Sequence, residues 1–294
     1  MTLDARALDA RLLDHTELDL ESADRVTYVL DQSFHYTYEA PIESLRQRLV
    51  VVPPVRHGNQ HRRDHRVEVT GAAARRAWRR DRHGNTVVRL RADRVERSVE
   101  FRLSALVERV RADGPTLLPV EALSDPRLLR ATRLTSADDR LRDLAAGLPT
   151  GGDPIELAER ICAVVHAAIS YVDGSTSVRT TAAEALAGGR GVCQDSAHVM
   201  LALCHLVGLP ARYVSGHLLG QGGTHAWVEA VVPANEAAMV VPFDPCNGRQ
   251  AGFGYLTIAT GRDYADVAPT SGHYVGTPNS TLTTSRRVGV LAAA

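Results

Sequence analysis

The chain has 294 residues, with 34 basic and 34 acidic side chains and a formal charge of zero. That length suits one large or two small domains, and the neutral balance gives no global attraction to nucleic acid or an anionic membrane. Four cysteines, Cys162, Cys193, Cys204 and Cys246, form no CxxC pair, which argues against a zinc ribbon.

Every basic side chain is Arg and none is Lys, as codon bias would produce. The first thirty residues lack a basic-then-apolar leader, and no apolar run approaches the ~20 residues of a membrane span. A disulfide framework is not expected at this size without a leader. A reducing cytoplasm is the expected location.

Residues 1–24 are acidic and Leu-rich and predict a short helix or a frayed extension. Residues 25–112 read as β. Val26-Thr27-Tyr28-Val29-Leu30 and Phe34-His35-Tyr36-Thr37-Tyr38 are aromatic and β-branched, and Leu49–Val52 is a strand stopped by Pro53-Pro54. Val67–Val69, Thr86–Leu90 and Ser98–Leu103 add short strands, with a turn at Arg82-His83-Gly84-Asn85. Regular short strands predict a sandwich-like module. Residues 113–149 form a helical connector, whose capping-box-like start is Ser136 with Asp139 three residues on. A further helix begins at Asp153-Pro154, a cap followed by proline at the first helical position.

Gly188-Gly189-Arg190-Gly191-Val192-Cys193 leads into a run, Gln194–Val207, apolar on most of its circumference and ended by Gly208 and Pro210. Such a helix is central and buried. Cys193 stands at its N-terminus, where the helix dipole and unpaired N–H groups stabilise a thiolate. Strands follow at 211–218, at 224–232 around His225, and at 239–245 around Asp244. A four-residue loop at 233–236 would set Asp244 directly across from His225, on the same face. A carboxylate there holds the imidazole tautomer and stabilises its cation. A thiol at a helix start, a His on a strand and an acid opposite it form a nucleophilic site attacking an amide carbonyl, with the Cys193 N–H as an oxyanion donor.

At Gly191-Val192-Cys193-Gln194-Asp195, Thr224-His225-Ala226-Trp227 and Phe243-Asp244-Pro245, the chain resembles the transglutaminase-like superfamily, within the papain-like cysteine enzymes. The resemblance extends to Tyr171, Thr180–Leu186, Gly208–Gly216 and Gly261–Val267. Residues 25–112 resemble the bacterial N-terminal β-region of that family, at Tyr36–Pro41 and Asp81–Asn85. It implies Cys193, His225 and Asp244 as catalytic triad, and Trp227 and Tyr171 are candidate substrate-binding residues. Ser196, Cys246 and the lack of a Trp before Asp244 depart from the family's pattern.

Other residues have plainer readings. Cys162 and Cys204 read as inert core, and His198 and His217 as rival bases of low weight. Asp195 satisfies local N–H groups or complements the dipole. His57, His61 and His65 recur every four residues, which would be a metal face only on a helix; a solvated loop is preferred. Arg75–Arg80 reads as a solvated strand or turn rather than a nucleic-acid patch. No cofactor is implied, and no acidic loop has the ligand density of a calcium site.

The expected fold is α+β: a β-rich module over 1–112, a connector over 113–149, and a papain-like core with C-terminal strands over 150–294. The expected chemistry is cleavage or transfer of an amide bond through a thioester, with hydrolysis favoured. The substrate would be a peptide, a protein or a small amide, with an amine as the acceptor in the transfer case; neither nucleic acid nor membrane is an expected partner. Amide formation in a biosynthetic pathway and a non-catalytic scaffold are the alternatives.

Overall fold

Alternating apolar and polar positions set the first half of the chain. The computed structural model describes Leu3, residues 11–149 and residues 151–294. Seven strands come first: β1 (Arg25–Tyr38), β2 (Ile42–Val52), β3 (Arg56–His57), β4 (Gln60–Thr70), β5 (Ala74–Arg80), β6 (Thr86–Val95) and β7 (Ser98–Val110). Strand β2 ends at the two prolines, and Asp81 makes the turn before β6 by accepting from the N–H groups of His83 and Asn85, both at 2.9 Å. Of residues 1–24, expected as a helix or extension, residues 1, 2 and 4–10 lie outside the described residues. What is described holds a 3₁₀ turn, His15–Glu17, capped by Asp14.

The last two strands return to this half. Strand β17 (Ser280–Ala293) pairs with β1, giving the order β17-β1-β7-β4-β3, and β16 (Thr270–Val275) pairs with β2, giving β16-β2-β6-β5. Residues 270–293, grouped by sequence with the core, thus complete both N-terminal sheets. Phe34, Leu45, Leu49, Leu90, Phe101 and Leu103 from the two sheets share one apolar cluster.

Between β7 and these returning strands lies the helical part. After β8 (Leu117–Pro119) come α1 (Pro126–Leu129), α2 (Asp139–Ala146) and α3 (Pro154–Ala168). The cap of α2 is Asp138, accepting from Leu141 N–H at 3.0 Å; Ser136, the expected cap, bonds Arg133 O instead. Asp and Ser both cap well, and the later start sends Leu141 into the core. Asp153 caps α3 as expected, accepting from Ile155 N–H at 2.9 Å. Then come β9 (Ser170–Tyr171), α4 (Ala182–Gly188), β10 (Arg190–Gly191) and α5 (Cys193–Leu206). Helix α5 is buried from Gln194 through Cys204, the all-round burial its sequence predicts.

This helix packs on a sheet of β11 (Ala211–Leu218), β12 (His225–Ala234), β13 (Ala237–Asp244), β14 (Arg249–Gln250) and β15 (Tyr255–Gly261), followed by α6 (Tyr264–Val267). The order is β14-β13-β12-β11-β15, with β8 against β13. Ala226, Val228, Ala230 and Val232 of β12 share an apolar cluster with α5.

The outer edge of β15 meets side chains that imitate a strand. Gln60 accepts from Thr257 N–H at 2.8 Å and donates to Thr257 O at 2.7 Å. Asn85 does the same to Thr260, at 2.9 and 2.7 Å. Beside them, buried Glu229 of β12 receives His57 at 2.6 Å and Arg212 at 2.7 Å. His61 goes to Asp113 at 2.7 Å and His65 lies edge-on to Trp78. His57 pairs with Gln60 across the β3-β4 hairpin, and a bulge between Arg62 and Asp64 breaks the alternation from His61 to His65, so the four-residue spacing gathers no common face. No helix among the described residues is long and apolar enough to cross a membrane.

Candidate active site

Cys193 is the first residue of α5 and is half-buried. The turn before it is held by Asp195, whose Oδ2 accepts from Val192 N–H at 2.8 Å and from Thr176 Oγ1 at 2.6 Å. A Cβ on Gly191 would stand 2.7 Å from Asp195 Cβ, so glycine is required for this carboxylate to fold back. Burial pushes the Asp195 carboxyl up, against the pull of those donors.

His225 opens β12 and Asp244 closes β13, and the ring Nε2 lies 2.7 Å from Asp244 Oδ2. The register differs from the expected one. The hairpin turn is Asn235-Glu236, with Asn235 at φ 50, and Ala234 pairs with Ala237. Asn tolerates the left-handed region that a two-residue hairpin turn demands, and Pro233 stays in the ladder opposite Ala238. Phe243 faces Val228, so the next step sets Asp244 against Trp227 and diagonal to His225. The shift is even, so both remain on one face, and the diagonal is within side-chain reach.

Asp244 is fully buried. Its Oδ2 also accepts from Asn247 Nδ2 at 2.6 Å and Tyr255 OH at 2.7 Å, and its Oδ1 from the N–H groups of Cys246 and Asn247 at 3.0 and 3.2 Å. Burial pushes its acidity down, but His225, Asn247 and Tyr255 outweigh that and hold the carboxyl below its usual range. The Tyr255 hydroxyl in turn accepts from Arg249 Nε at 3.0 Å.

Burial disfavours the His225 cation. Hydrogen bonds to Asp244 and to the Cys193 sulfur outweigh it and raise the imidazole to about 9. With Nε2 on the carboxylate, Nδ1 is left for the sulfur. Asp244 and His225 are thus joined at 2.7 Å, and the Cys193 side chain acts on the same imidazole, an arrangement able to hold a thiolate–imidazolium pair.

Trp227, a candidate for substrate binding or for the core, is 1% exposed. It stacks on His225, with centroids 6.3 Å apart, and meets Tyr255 edge-on at 5.4 Å. Gly216, opposite His225, makes room for that indole: a Cβ there would lie 2.5 Å from the Trp227 ring and 2.1 Å from Leu256 O. Trp227 therefore supports the histidine from beneath. Tyr171 is 63% exposed and pairs with Gly191, two residues before Cys193. Partial burial raises its phenol, with further contributions from Cys193, Asp173 and Cys246.

The rival bases are elsewhere engaged. His198 accepts from Tyr264 N–H at 3.2 Å, and burial lowers both it and His217 to about 4. Burial pushes the thiols of Cys162 and Cys204 up to about 12. Sequence reasoning missed Tyr255, Asn247 and Arg249. Asn247 had a local signal, three residues beyond Asp244 in a turn. Tyr255 had none, because it reaches Asp244 from a strand that is not its neighbour.

Residues 142–245 match the transglutaminase-like superfamily, and residues 28–108 match the bacterial transglutaminase-like N-terminal region. The chain belongs to the transglutaminase-like superfamily. It is 28% identical over 289 residues to the uncharacterised protein Rv2569c of Mycobacterium tuberculosis, covering 89% of this chain and 88% of the other. The uncharacterised protein ML0607 of Mycobacterium leprae is 31% identical over 159 residues, 51% of this chain and 55% of the other. A crystal structure of a candidate cysteine protease from Cytophaga hutchinsonii superposes with a TM-score of 0.73, at 23% identity over 92% of both chains. That likeness is one of fold.

Within this transglutaminase-like chain, the core match begins in α2 and ends at Pro245, just after Asp244. The N-terminal match covers β1 through most of β7. Cys246, where the family usually has Thr, is half-buried. Burial raises its thiol to about 12, and Asp244 and Cys193 add to the shift, so it is protonated beside the candidate nucleophile.

Proposed function

We propose that this protein cleaves an amide bond through a cysteinyl thioester, with Cys193 as nucleophile, His225 as proton carrier and Asp244 as its orienting carboxylate. The observation that carries the reading is the buried Asp244–His225 pair at 2.7 Å, with the imidazole raised to about 9 by Asp244 and Cys193 against the cost of burial. At neutral pH such a histidine is predominantly protonated, which is the state that stabilises a thiolate beside it.

The thiolate adds to the amide carbonyl, and the Cys193 backbone N–H, at the start of α5, supports the oxyanion. As the C–N bond breaks, His225 gives its proton to the leaving amine. The neutral imidazole then takes a proton from water, whose oxygen attacks the thioester and releases the acid and the thiolate. An amine acceptor follows the same path and yields a new amide. Hydrolysis is preferred because water is always present and no amine-binding site stands out among the described residues. The substrate class is a peptide, a protein or a small amide.

The test is mass spectrometry after incubation with peptide and amine libraries, comparing wild type with Cys193→Ala. New acids or amides formed by wild type alone support the proposal, and their masses separate hydrolysis from transfer. A wild type as inert as Cys193→Ala, with a thiol no more reactive than free cysteine, leaves the scaffold reading in its place.

A further inference from the structure

The outer face of the β16-β2-β6-β5 sheet is basic, although the chain is neutral overall. His273 of β16 pairs with Arg46 of β2, Arg46 with Arg91 of β6, and Arg91 with Arg75 of β5. One step along, Arg48 pairs with Arg89. Like charges set directly opposite one another are destabilising. Arg75 meets an exposed Asp93, and Arg48 leans to Asp81 and the Asp266 carbonyl. Arg46, Arg79, Arg89 and Arg91 have no acidic partner among the described residues. Two adjoining depressions, of about 480 and 350 Å³, share Arg46, Arg89 and Arg91 as walls.

Edge protection accounts for part of this. Charged side chains on an edge strand keep sheets from pairing edge to edge, which explains β5 but not the arginines of the inner strands β2 and β6. The preference for Arg over Lys across the whole chain does not explain their gathering on one face.

Two features choose the class of partner. Single-stranded nucleic acid wants an aromatic platform, yet Trp78 of β5 points to the other side, edge-on to His65 at 5.5 Å. Strand β5 is the sheet's edge and is exposed from Arg75 through Arg80. Its outer edge offers main-chain bonds that only another polypeptide completes, with alternate side chains of the added strand falling beside the arginine face.

We propose that this arginine-lined face and the open edge of β5 form a docking surface for an extended acidic polypeptide segment. The experiment is fluorescence anisotropy of full-length protein with a labelled oligoglutamate peptide, at low and physiological salt. Arg89→Gln/Arg91→Gln is compared with Arg140→Gln/Arg160→Gln, which removes the same charge from exposed helical positions. The expected result is saturable, salt-sensitive binding, weakened about tenfold or more by the sheet variant and less than about twofold by the helix variant. Circular dichroism checks the fold, and Arg91→Gln alone replaces the double variant if that one unfolds. No saturable binding, or equal loss in both variants, overturns the proposal. So does tighter binding of a duplex oligonucleotide or of phosphatidylglycerol vesicles, which gives the face to another partner.

Discussion

The hydroxyl of Tyr255 and the imidazole of His225 converge on one oxygen, Asp244 Oδ2, each at 2.7 Å. Asn247 Nδ2 makes a third contact at 2.6 Å. One carboxylate oxygen is thus fixed by three side-chain donors, and its position sets the angle of the histidine ring.

Tyr255→Phe removes one of those donors while leaving the ring in its cluster with Trp227. A buried hydrogen bond is worth about 1 kcal/mol net, so turnover is expected to fall by roughly fivefold. Loss of that donor leaves the carboxylate freer to pair with His225, so the histidine's pKa stays at or above its wild-type value. A normal kcat in Tyr255→Phe would reduce the hydroxyl to a structural role.

Asp244→Asn is expected to keep the fold and lose most turnover. Asn keeps a contact to the imidazole but no charge to stabilise its cation, and it favours the wrong tautomer. The corresponding change in serine-protease triads costs ~10⁴ in kcat. A thiol is intrinsically easier to activate than a serine hydroxyl and leans less on the third member, so roughly 10–10³ is expected, or about 1.4–4 kcal/mol in barrier. Thermal midpoint and kcat on the same preparations decide the matter. Wild-type kcat with lowered stability would leave Asp244 as a turn-former only.

The pH profile follows from the sign of the histidine's shift. Its folded value, about 9, lies above the unfolded reference of about 6.5. The associated stability is therefore complete below the unfolded value and is lost as pH rises through about 9. Turnover requiring the imidazolium is expected to decline over the same alkaline range. In Asp244→Asn that decline moves toward neutral pH, because the main favourable partner of the cation has lost its charge. Initial rates from pH 6 to 10 on both proteins measure it, and coincident profiles would contradict the assignment.

Iodoacetamide near neutral pH is expected to modify Cys193 well before Cys162, Cys204 or Cys246. Those three are raised to about 12 by burial, whereas Cys193 starts a helix and acts on the His225 imidazole. Peptide mapping after brief labelling reads the order, and slower labelling of Cys193 would count against a reactive thiol.

The meeting of Cys193, His225 and Asp244 is legible in sequence because each sits in a short motif at the end of a local element. The detailed register is not. It depends on whether Pro233 ends a strand or stays within it, and the left-handed Asn235 decides that. Trp227 shows a second limit. Alternation puts it on His225's face, but only Gly216 across the sheet shows that the indole lies buried against its neighbour. Arg75–Arg80 reads in sequence only as a strand or a turn, because its outward charges leave almost no apolar stripe to decide between them.

A fragment of residues 113–294 is expected to be poorly soluble rather than active. It lacks Gln60 and Asn85, which occupy the edge of β15, and the partners β1 and β2 of its last two strands. Exposed edges of that kind invite aggregation. A monomeric fragment that turned over substrate like the whole protein would show that residues 25–112 are dispensable for folding and substrate access alike.

The pairing of β1 with β17 also dictates when the molecule can finish folding. Ser33 and Ser285, joined at 3.0 Å, are 252 residues apart. During synthesis the first sheet waits, with one side of β1 uncovered, until nearly the whole chain has emerged. Closing so long a loop adds only about 0.6 kcal/mol for each doubling of its length, so the delay weighs on timing far more than on final stability. The uncovered flank of β1 is then where a holding chaperone has most to protect, and where a premature stop codon late in the message would do its damage, far from the cysteine.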